Sequence, residues 1–233
     1  MKRLLCFVAF AVGCLGTLRA QPEIPPHTVF KPTFLLSSES FYGGTAFAAK
    51  VPGSEQPVMV TCHHLFGPAT GLDSQMSADD IQKNIVAAVG VSMSDPRTVL
   101  IAPRYLKVAG ARAFDDNGAD KDLALFEFPQ AVKTLTIAAK PAKVGDKVWL
   151  LARLRGTERL ALHPATVSLA SAKEVDYVFE KNNLELRGTS GAPVLSESGE
   201  VVAINLGGGP DKGRLIGIGN PAASILAALP RRN

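Results

Sequence analysis

The sequence predicts an all-β protein whose strands fall into two barrels, followed by a short C-terminal helix. Three observations lead there. Short apolar runs recur along the chain, each bounded by glycine, proline or Asp/Asn/Ser turns, and 21 glycines and 16 prolines supply that punctuation. The runs form two groups of about six on either side of a break near Pro129, which is the spacing of an all-β barrel or sandwich rather than of alternating helices and strands. Only the final stretch, Pro221 to Leu229, is alanine-rich and apolar enough to read as a terminal helix. The halves show no sequence repeat, and the chain has no low-complexity tract.

Residues 1–20 read as a secretory signal. Lys2-Arg3 is the positive end, Leu4 to Leu15 the apolar run, and Thr17-Leu18-Arg19-Ala20 leads to expected cleavage before Gln21. Two alternatives stand beside it. An uncleaved anchor would need a longer run, about 20 residues for a bilayer. A lipid-modified N-terminus at Cys14 would use Ala11-Val12-Gly13-Cys14 as its site. Export to the periplasm or the extracellular space is the expectation. Cys6 and Cys14 would leave with the signal, so Cys62 remains alone and no intramolecular disulfide is expected. Three of the 25 basic residues also lie in the first twenty, which leaves 22 basic residues against 21 acidic ones. A nearly neutral chain lacks the basic surface that nucleic-acid binding requires, and no stable membrane span is expected after the signal.

Residues 21–33, with Pro22, Pro25, Pro26 and Pro32, read as an extended arm. An N-terminal barrel is expected over 34–128. Its strands are Tyr42 to Val51, Val58 to Cys62, Ile85 to Ser92, Arg97 to Ala102 and Leu123 to Phe128, and Ser77 caps a helical turn ahead of Asp79, Asp80 and Ile81. The second barrel is expected over 129–233, with strands at Lys147 to Leu154, Ala165 to Ser171, Val175 to Glu180, Glu200 to Asn205 and Leu215 to Gly219.

Chemistry concentrates in three stretches. Leu186-Arg187-Gly188-Thr189-Ser190-Gly191-Ala192-Pro193-Val194 places a serine between two glycines in a tight turn, where the backbone can come close to a ligand. Alone it would be an ordinary hairpin turn, because Ser beside Gly is common there. A serine hydroxyl becomes a nucleophile only with a base and an orienting carboxylate. Val60-Thr61-Cys62-His63-His64-Leu65-Phe66 and Lys121-Asp122-Leu123-Ala124-Leu125 supply candidates for both. Read as strand neighbours, His63 and His64 point to opposite faces, so only one can serve. Asp115, Asp116 and Asp120 are nearby carboxylates, but only Asp122 leads into an apolar run. His27 and His163 lie in proline-containing segments and read as solvated. The acidic loop 115–120 lacks the ligand spacing of a calcium site. Cys62-His63-His64 diverge too much for zinc. Gly207-Gly208-Gly209 does not open a helix, as a nucleotide loop would. No metal and no cofactor is expected.

Together, VTCHHLF, KDLALF and RGTSGAPV resemble the His, Asp and Ser motifs of trypsin-like, chymotrypsin-fold serine proteases, in order and across the whole chain after the signal. The nearest style is that of disulfide-free bacterial exported members. The resemblance implies two six-stranded antiparallel β-barrels of the chymotrypsin type and an endopeptidase acting on protein or peptide substrates. It also implies a triad of His64, Asp122 and Ser190. The family's threonine three residues before its histidine selects His64 through Thr61. The backbone N–H groups of Gly188 and Ser190 would make the oxyanion hole. Leu184, Asn205, Gly207 and Gly213 would line the specificity pocket, where Leu184 stands at the position of a basic-specific enzyme's aspartate and favours apolar residues. Two other classes share these motifs: a pseudoprotease that binds without cleaving, and an esterase-type acyl hydrolase.

Thr189 stands where the animal digestive enzymes carry an aspartate that pairs with a newly made N-terminus. Activity should therefore not require one defined N-terminal residue. A chain beginning at Gln21 and the same chain with a short tag ahead of it should turn over substrate at similar rates. A strict requirement for a single N-terminus would contradict this.

Overall fold

Nine short strands form the first sheet of the computed structural model, which describes residues 21–50, 52, 56–128 and 132–229. They are β1 (Val29–Leu36), β2 (Ser40–Tyr42), β3 (Ala46–Lys50), β4 (Val58–Thr61), β5 (Ile85–Ser92), β6 (Val99–Ala102), β7 (Arg104–Leu106), β8 (Ala124–Glu127) and β9 (Leu135–Thr136). The expected signal, with Cys6 and Cys14, lies outside the described residues. Seven strands run in the order β6-β5-β1-β3-β4-β8-β7, while β2 pairs with β1 and β9 with β3. Only Pro103 separates β6 from β7. The two ends of the path therefore meet at one bend, and the sheet is a nearly closed barrel.

The second barrel closes fully in the order β10-β11-β12-β15-β14-β13. Its strands are β10 (Lys147–Ala152), β11 (Ala161–Ala170), β12 (Val175–Phe179), β13 (Pro193–Leu195), β14 (Val201–Asp211) and β15 (Arg214–Pro221). Two helices complete the fold. In α1 (Ala78–Asn84), the Ser77 side chain accepts from the Asp80 N–H and the Asp80 carboxylate accepts from the Ser77 N–H, a reciprocal cap. The C-terminal α2 (Ala222–Ala228) buries Ile225 against the sheets.

Three expectations change. Residues 29–33 are the first half of β1 rather than part of an arm, and Val29 and Phe30 are fully buried. Pro22, Pro25 and Pro26 precede the strand, and Pro32 is accommodated opposite Gly90 of β5. The single strand expected over 42–51 is two, because Gly43 and Gly44 break it. Residues 135–136, expected in the second barrel, pair in parallel with β3 of the first. Ile137 then bridges to Val201, so this crossing segment stitches the barrels together.

Period-two burial explains why β10 reads as an unbroken apolar run. Val148, Leu150 and Ala152 face the interior of the second barrel, and Leu151 faces the first. A strand covered on both faces has no solvent side to mark with polar residues. Val194 and Leu195 divide in the same way, as do Ala203 and Ile204. The first core is aromatic: Phe34 lies 4.5 Å from Phe66 and 5.8 Å from Phe126, ring to ring. Truncating such a phenylalanine to alanine costs about 3–5 kcal/mol.

The tightest contact between the barrels is made by backbone. At Gly191 (φ +88°), a Cβ would sit 1.9 Å from the Thr45 carbonyl oxygen and 2.5 Å from Thr61 Oγ1. Gly191→Ala should cost more than about 3 kcal/mol, combining left-handed strain with a clash. Gly145→Ala, at φ +91° with open space around it, should cost about 1–2 kcal/mol. Urea unfolding of both variants checks this, and equal costs would contradict it.

Candidate functional site

After Thr61 the chain leaves β4 and enters a 3₁₀ turn, His63–Phe66. The two histidines therefore sit on a tight turn, not on the strand expected. Successive residues there diverge by about 120°, so the rings still separate. His63 is buried, and its Nε2–H donates to the Met76 carbonyl at 3.0 Å. The Gln75 side chain donates to the carbonyls of His63 and Phe66 and clamps the turn from outside. His64 faces the other way, with Nδ1 lying 2.6 Å from Asp122 Oδ2.

Asp122 is fully buried at the entrance to β8. A buried carboxylate must be hydrogen-bonded to remain charged, and Asp122 accepts three bonds. Oδ1 takes the His64 N–H at 2.8 Å, and Oδ2 takes His64 Nδ1–H and, at 3.2 Å, the Phe114 N–H. Its backbone carbonyl accepts from Asn220 Nδ2 at 3.1 Å, a bond from the second barrel. Asp115 is engaged instead by Arg112 and Asn117, and Asp120 pairs with Lys121. With Nδ1–H committed to the carboxylate, the neutral His64 ring keeps Nε2 as a proton acceptor.

Ser190 lies in the turn ahead of β13. Its carbonyl accepts from the Thr45 N–H at 2.7 Å, and the Gly188 carbonyl accepts from Thr45 Oγ1 at 3.0 Å. The first barrel thus holds the turn from one side. From the other, the Gly191 N–H donates to the Asn205 carbonyl at 2.7 Å. Ser190 Oγ donates to the Leu206 carbonyl at 3.0 Å, and this is its hydrogen bond among the described residues. The N–H groups of Gly188 and Ser190 have no hydrogen-bond partner among the described residues. Two adjacent free donors beside a serine hydroxyl can stabilise a developing oxyanion.

Residues 44–204 match the family described as the trypsin-like peptidase domain. The chain belongs to that family. It is a serine-type endopeptidase by family, with the chymotrypsin-like fold. Solved structures resemble it across most of the chain. The Rv3671c protease of M. tuberculosis, in its active form, is 17% identical over 90% of this chain and 87% of that one, with a TM-score of 0.56. The thermostable serine protease AL20 from an extremophilic microorganism is 14% identical over 87% and 94%, also at 0.56. The HtrA-type protease AlgW with a tripeptide is 13% identical over 87% and 58%, at 0.52. A comparison with curated protein sequences returns no match.

In this peptidase a cleft of about 480 Å³ opens beside Ser190, lined by residues 184–188 and 207–210 with Leu215 and Ala69. Leu184 and Gly207 line this cleft. Asn205 and Gly213 do not. Asn205 is fully buried, with both ends of its amide engaged inside the protein. The register slips between Asn205 and Gly207, so the cleft begins one residue later than simple alternation implies. Gly213 lies in the tight turn between β14 and β15, where its carbonyl accepts from Asn182. Glu185 reaches the mouth of the cleft but is ion-paired with Arg187 at 3.2 Å.

Three residues around the site carry no readable signal in the sequence. Phe114 binds Asp122 through its backbone and sets its ring edge-on to His64, 6.1 Å between centroids. Leu206 also acts through a backbone atom, which any residue type could supply, while Thr45 acts through both its N–H and its Oγ1. Sequence spacing also hides that Cys62 Sγ, a His64 ring nitrogen and an Asp122 carboxylate oxygen lie within 4.8 Å of one another. These atoms are already committed. The Cys62 thiol donates to the Asn205 carbonyl at 3.4 Å, and burial plus the neighbouring Asp122 charge push its pKa well up, against deprotonation to a metal-binding thiolate.

His63 makes stability depend on pH. Burial lowers its pKa, partly opposed by the Asp122 charge and the Met76 bond, and its Nδ1 has no partner. The folded state therefore favours neutral His63. That contribution is complete above the ordinary histidine pKa of about 6.5 and is lost as pH falls below it. His163, on β11 rather than in a solvated loop, is lowered by burial in the same sense. Asp176 acts oppositely: burial and Glu174 raise it to about 6, so it adds stability as pH falls from about 6 toward 3.8. The difference between wild type and His63→Asn isolates His63. The variant's melting temperature should fall less than wild type's between pH 7.5 and 5.5, and parallel losses would contradict the assignment.

Proposed function

We propose that this endopeptidase cleaves peptide bonds through His64, Asp122 and Ser190, and that it is an exported enzyme. The observation that carries the reading is the buried Asp122 carboxylate bound to His64 Nδ1, together with a cleft-lining serine flanked by two free N–H donors. On substrate binding, the Ser190 hydroxyl leaves the Leu206 carbonyl and turns to His64 Nε2. Oγ attacks the carbonyl carbon as its proton passes to Nε2, and Asp122 stabilises the resulting imidazolium. The Gly188 and Ser190 N–H groups hold the tetrahedral oxyanion, worth about 3–4 kcal/mol per donor in such sites. His64 then returns the proton to the leaving amine, and water hydrolyses the acyl-enzyme by the same steps in reverse.

Substrate docking follows from β14. Past Asn205 it has no strand partner on the β13 side among the described residues, while β15 covers its other edge through Asp211. An extended peptide can add to that free edge beside the cleft. Leu184 and the buried Leu215 line the cleft, and Glu185 is neutralised at the mouth by Arg187. A buried lysine or arginine would lack a counter-charge there, at a cost of several kcal/mol. Medium or large apolar residues before the cut therefore suit it best. Export rests on residues 1–20, and among the described residues no helix is long and apolar enough to cross a membrane.

Kinetics test the proposal. Ser190→Ala, His64→Ala and Asp122→Asn should each lower kcat/KM by about a thousandfold or more without unfolding the protein, whereas His63→Ala should retain most of it. Peptides differing only before the cut should be cleaved faster with Leu or Phe than with Arg. Full activity in Ser190→Ala, or an active His64→Ala beside a dead His63→Ala, would overturn the assignment.

A further inference from the structure

Behind Ser190 lies a buried polar network that the reaction scheme above does not use. Thr189, Asn205 and Tyr177 are each fully buried, on the turn, on β14 and on β12. Asn205 Nδ2 donates to the Thr189 carbonyl at 3.0 Å and to Thr189 Oγ1 at 2.9 Å. Thr189 Oγ1 donates in turn to the Leu186 carbonyl at 2.6 Å. Asn205 Oδ1 accepts the Tyr177 hydroxyl at 2.5 Å. Tyr177 reaches Asn205 across β15, over a strand position that has no side chain, Gly217. A Cβ at Gly217 would come within 2.3 Å of the Tyr177 ring. The ring therefore has no room to swing, and the hydroxyl is delivered to one place.

The network bears on the site through the peptide plane. In a trans peptide the C=O of one residue and the N–H of the next point in opposite directions. Asn205 Nδ2 and the Ala192 N–H draw the Thr189 carbonyl inward. The Ser190 N–H must then point away from them, and it has no internal partner. One residue earlier, Thr45 Oγ1 holds the Gly188 carbonyl and the Thr189 N–H is tied to Leu186. Both peptide planes following Gly188 are thus fixed, the first by bonds at both its ends and the second through its carbonyl.

We infer that Asn205, anchored by Tyr177, is a positioning residue that aims the Ser190 N–H at the oxyanion. The Thr189 carbonyl, which can only accept, decides which way round the amide sits, because the reversed amide would set two acceptors against each other. The Tyr177 hydroxyl, donating to Oδ1, then anchors the far end of the amide in that place. The network takes the structural place of an ion pair to a new N-terminus, for which Thr189 offers no charge. The inference rests on the assignment of Ser190 as nucleophile.

The experiment separates positioning from general support. Tyr177→Phe, Asn205→Ala, Thr189→Val and Thr189→Ser would be compared with wild type for kcat, KM and melting temperature. Each would also be measured for binding a peptide aldehyde, which forms a tetrahedral oxyanion adduct on the serine, and the matching peptide alcohol, which does not. Tyr177→Phe, Asn205→Ala and Thr189→Val should lose about tenfold or more in kcat, the scale of a misplaced oxyanion donor. KM and alcohol affinity should stay within about twofold, while aldehyde affinity falls in step with kcat. Thr189→Ser, which keeps the hydroxyl, should restore near-wild-type values. Tyr177→Phe removes a single oxygen and is the decisive variant if Asn205→Ala does not fold. Wild-type kcat in Tyr177→Phe, or equal losses of aldehyde and alcohol affinity, would overturn the inference. With Ser190→Ala inactive, those outcomes leave the Ser190 assignment standing; an active Ser190→Ala would remove both.

Discussion

The structure depends on one backbone docking, the seating of the Gly188–Ala192 turn against Thr45 and Thr61. The Thr45 N–H meets the Ser190 carbonyl at 2.7 Å, Thr61 Oγ1 meets the Thr45 carbonyl at 2.8 Å, and Gly191 leaves no space between them. Each barrel encloses much of its own core, but neither makes the site alone. His64 and Asp122 come from the first barrel and Ser190 from the second. The docking seats the Ser190 turn on the first barrel, and Asn220 adds a bond from the second barrel to the Asp122 carbonyl. The shared apolar layer of Leu151, Leu195, Ile204 and Leu206 supplies adhesion without direction, because hydrophobic burial is non-directional. The hydrogen bonds at Thr45 supply the register.

Fully buried polar residues cluster around the site: Asp122, Thr189, Asn205 and Asn220. A satisfied buried network rigidifies a site, and an unsatisfied one is costly. Asp122 and Asn205 are saturated, and in the Ser190 turn the donors left free among the described residues are the N–H groups of Gly188 and Ser190. The Ser190 hydroxyl rests on the Leu206 carbonyl, the first position of β14 beyond its pairing with β13. On the proposed docking, a peptide adding to that edge would compete for the same carbonyl, linking its binding to release of the Ser190 hydroxyl.

Much of this was legible in the sequence, and the failures have identifiable causes. The His, Asp and Ser stretches stand out because each joins a reactive side chain to a local pattern: an apolar strand end, an apolar strand start, a glycine-flanked turn. The capped helical turn after Ser77 was equally readable. Strand β1 was hidden because four prolines within 21–33 imitate an arm, although only Pro32 lies inside the strand. Asn205 was placed in the pocket by motif spacing carried over from the family, which does not register the slip between Asn205 and Gly207. Gly213 was misplaced because glycines in a long hairpin look alike until the pairing is known. Phe114 and Leu206 hydrogen-bond through backbone atoms and leave no trace in residue type, and the Thr45 hydroxyl bonds a carbonyl 143 residues away, which local pattern does not reveal. The proximity of Cys62 to Asp122 is a product of strand pairing, since Thr61 lies opposite Ala124.

The central claim is that this docking makes Ser190 a nucleophile activated by His64. A fluorophosphonate tests it without any assumption about substrate, because it adds covalently to an activated serine. Mass spectrometry of the labelled and digested protein should find one adduct, on the peptide containing Ser190, absent in Ser190→Ala and strongly reduced in His64→Ala. No adduct on folded wild-type protein, or an adduct unaffected by Ser190→Ala, would contradict the account.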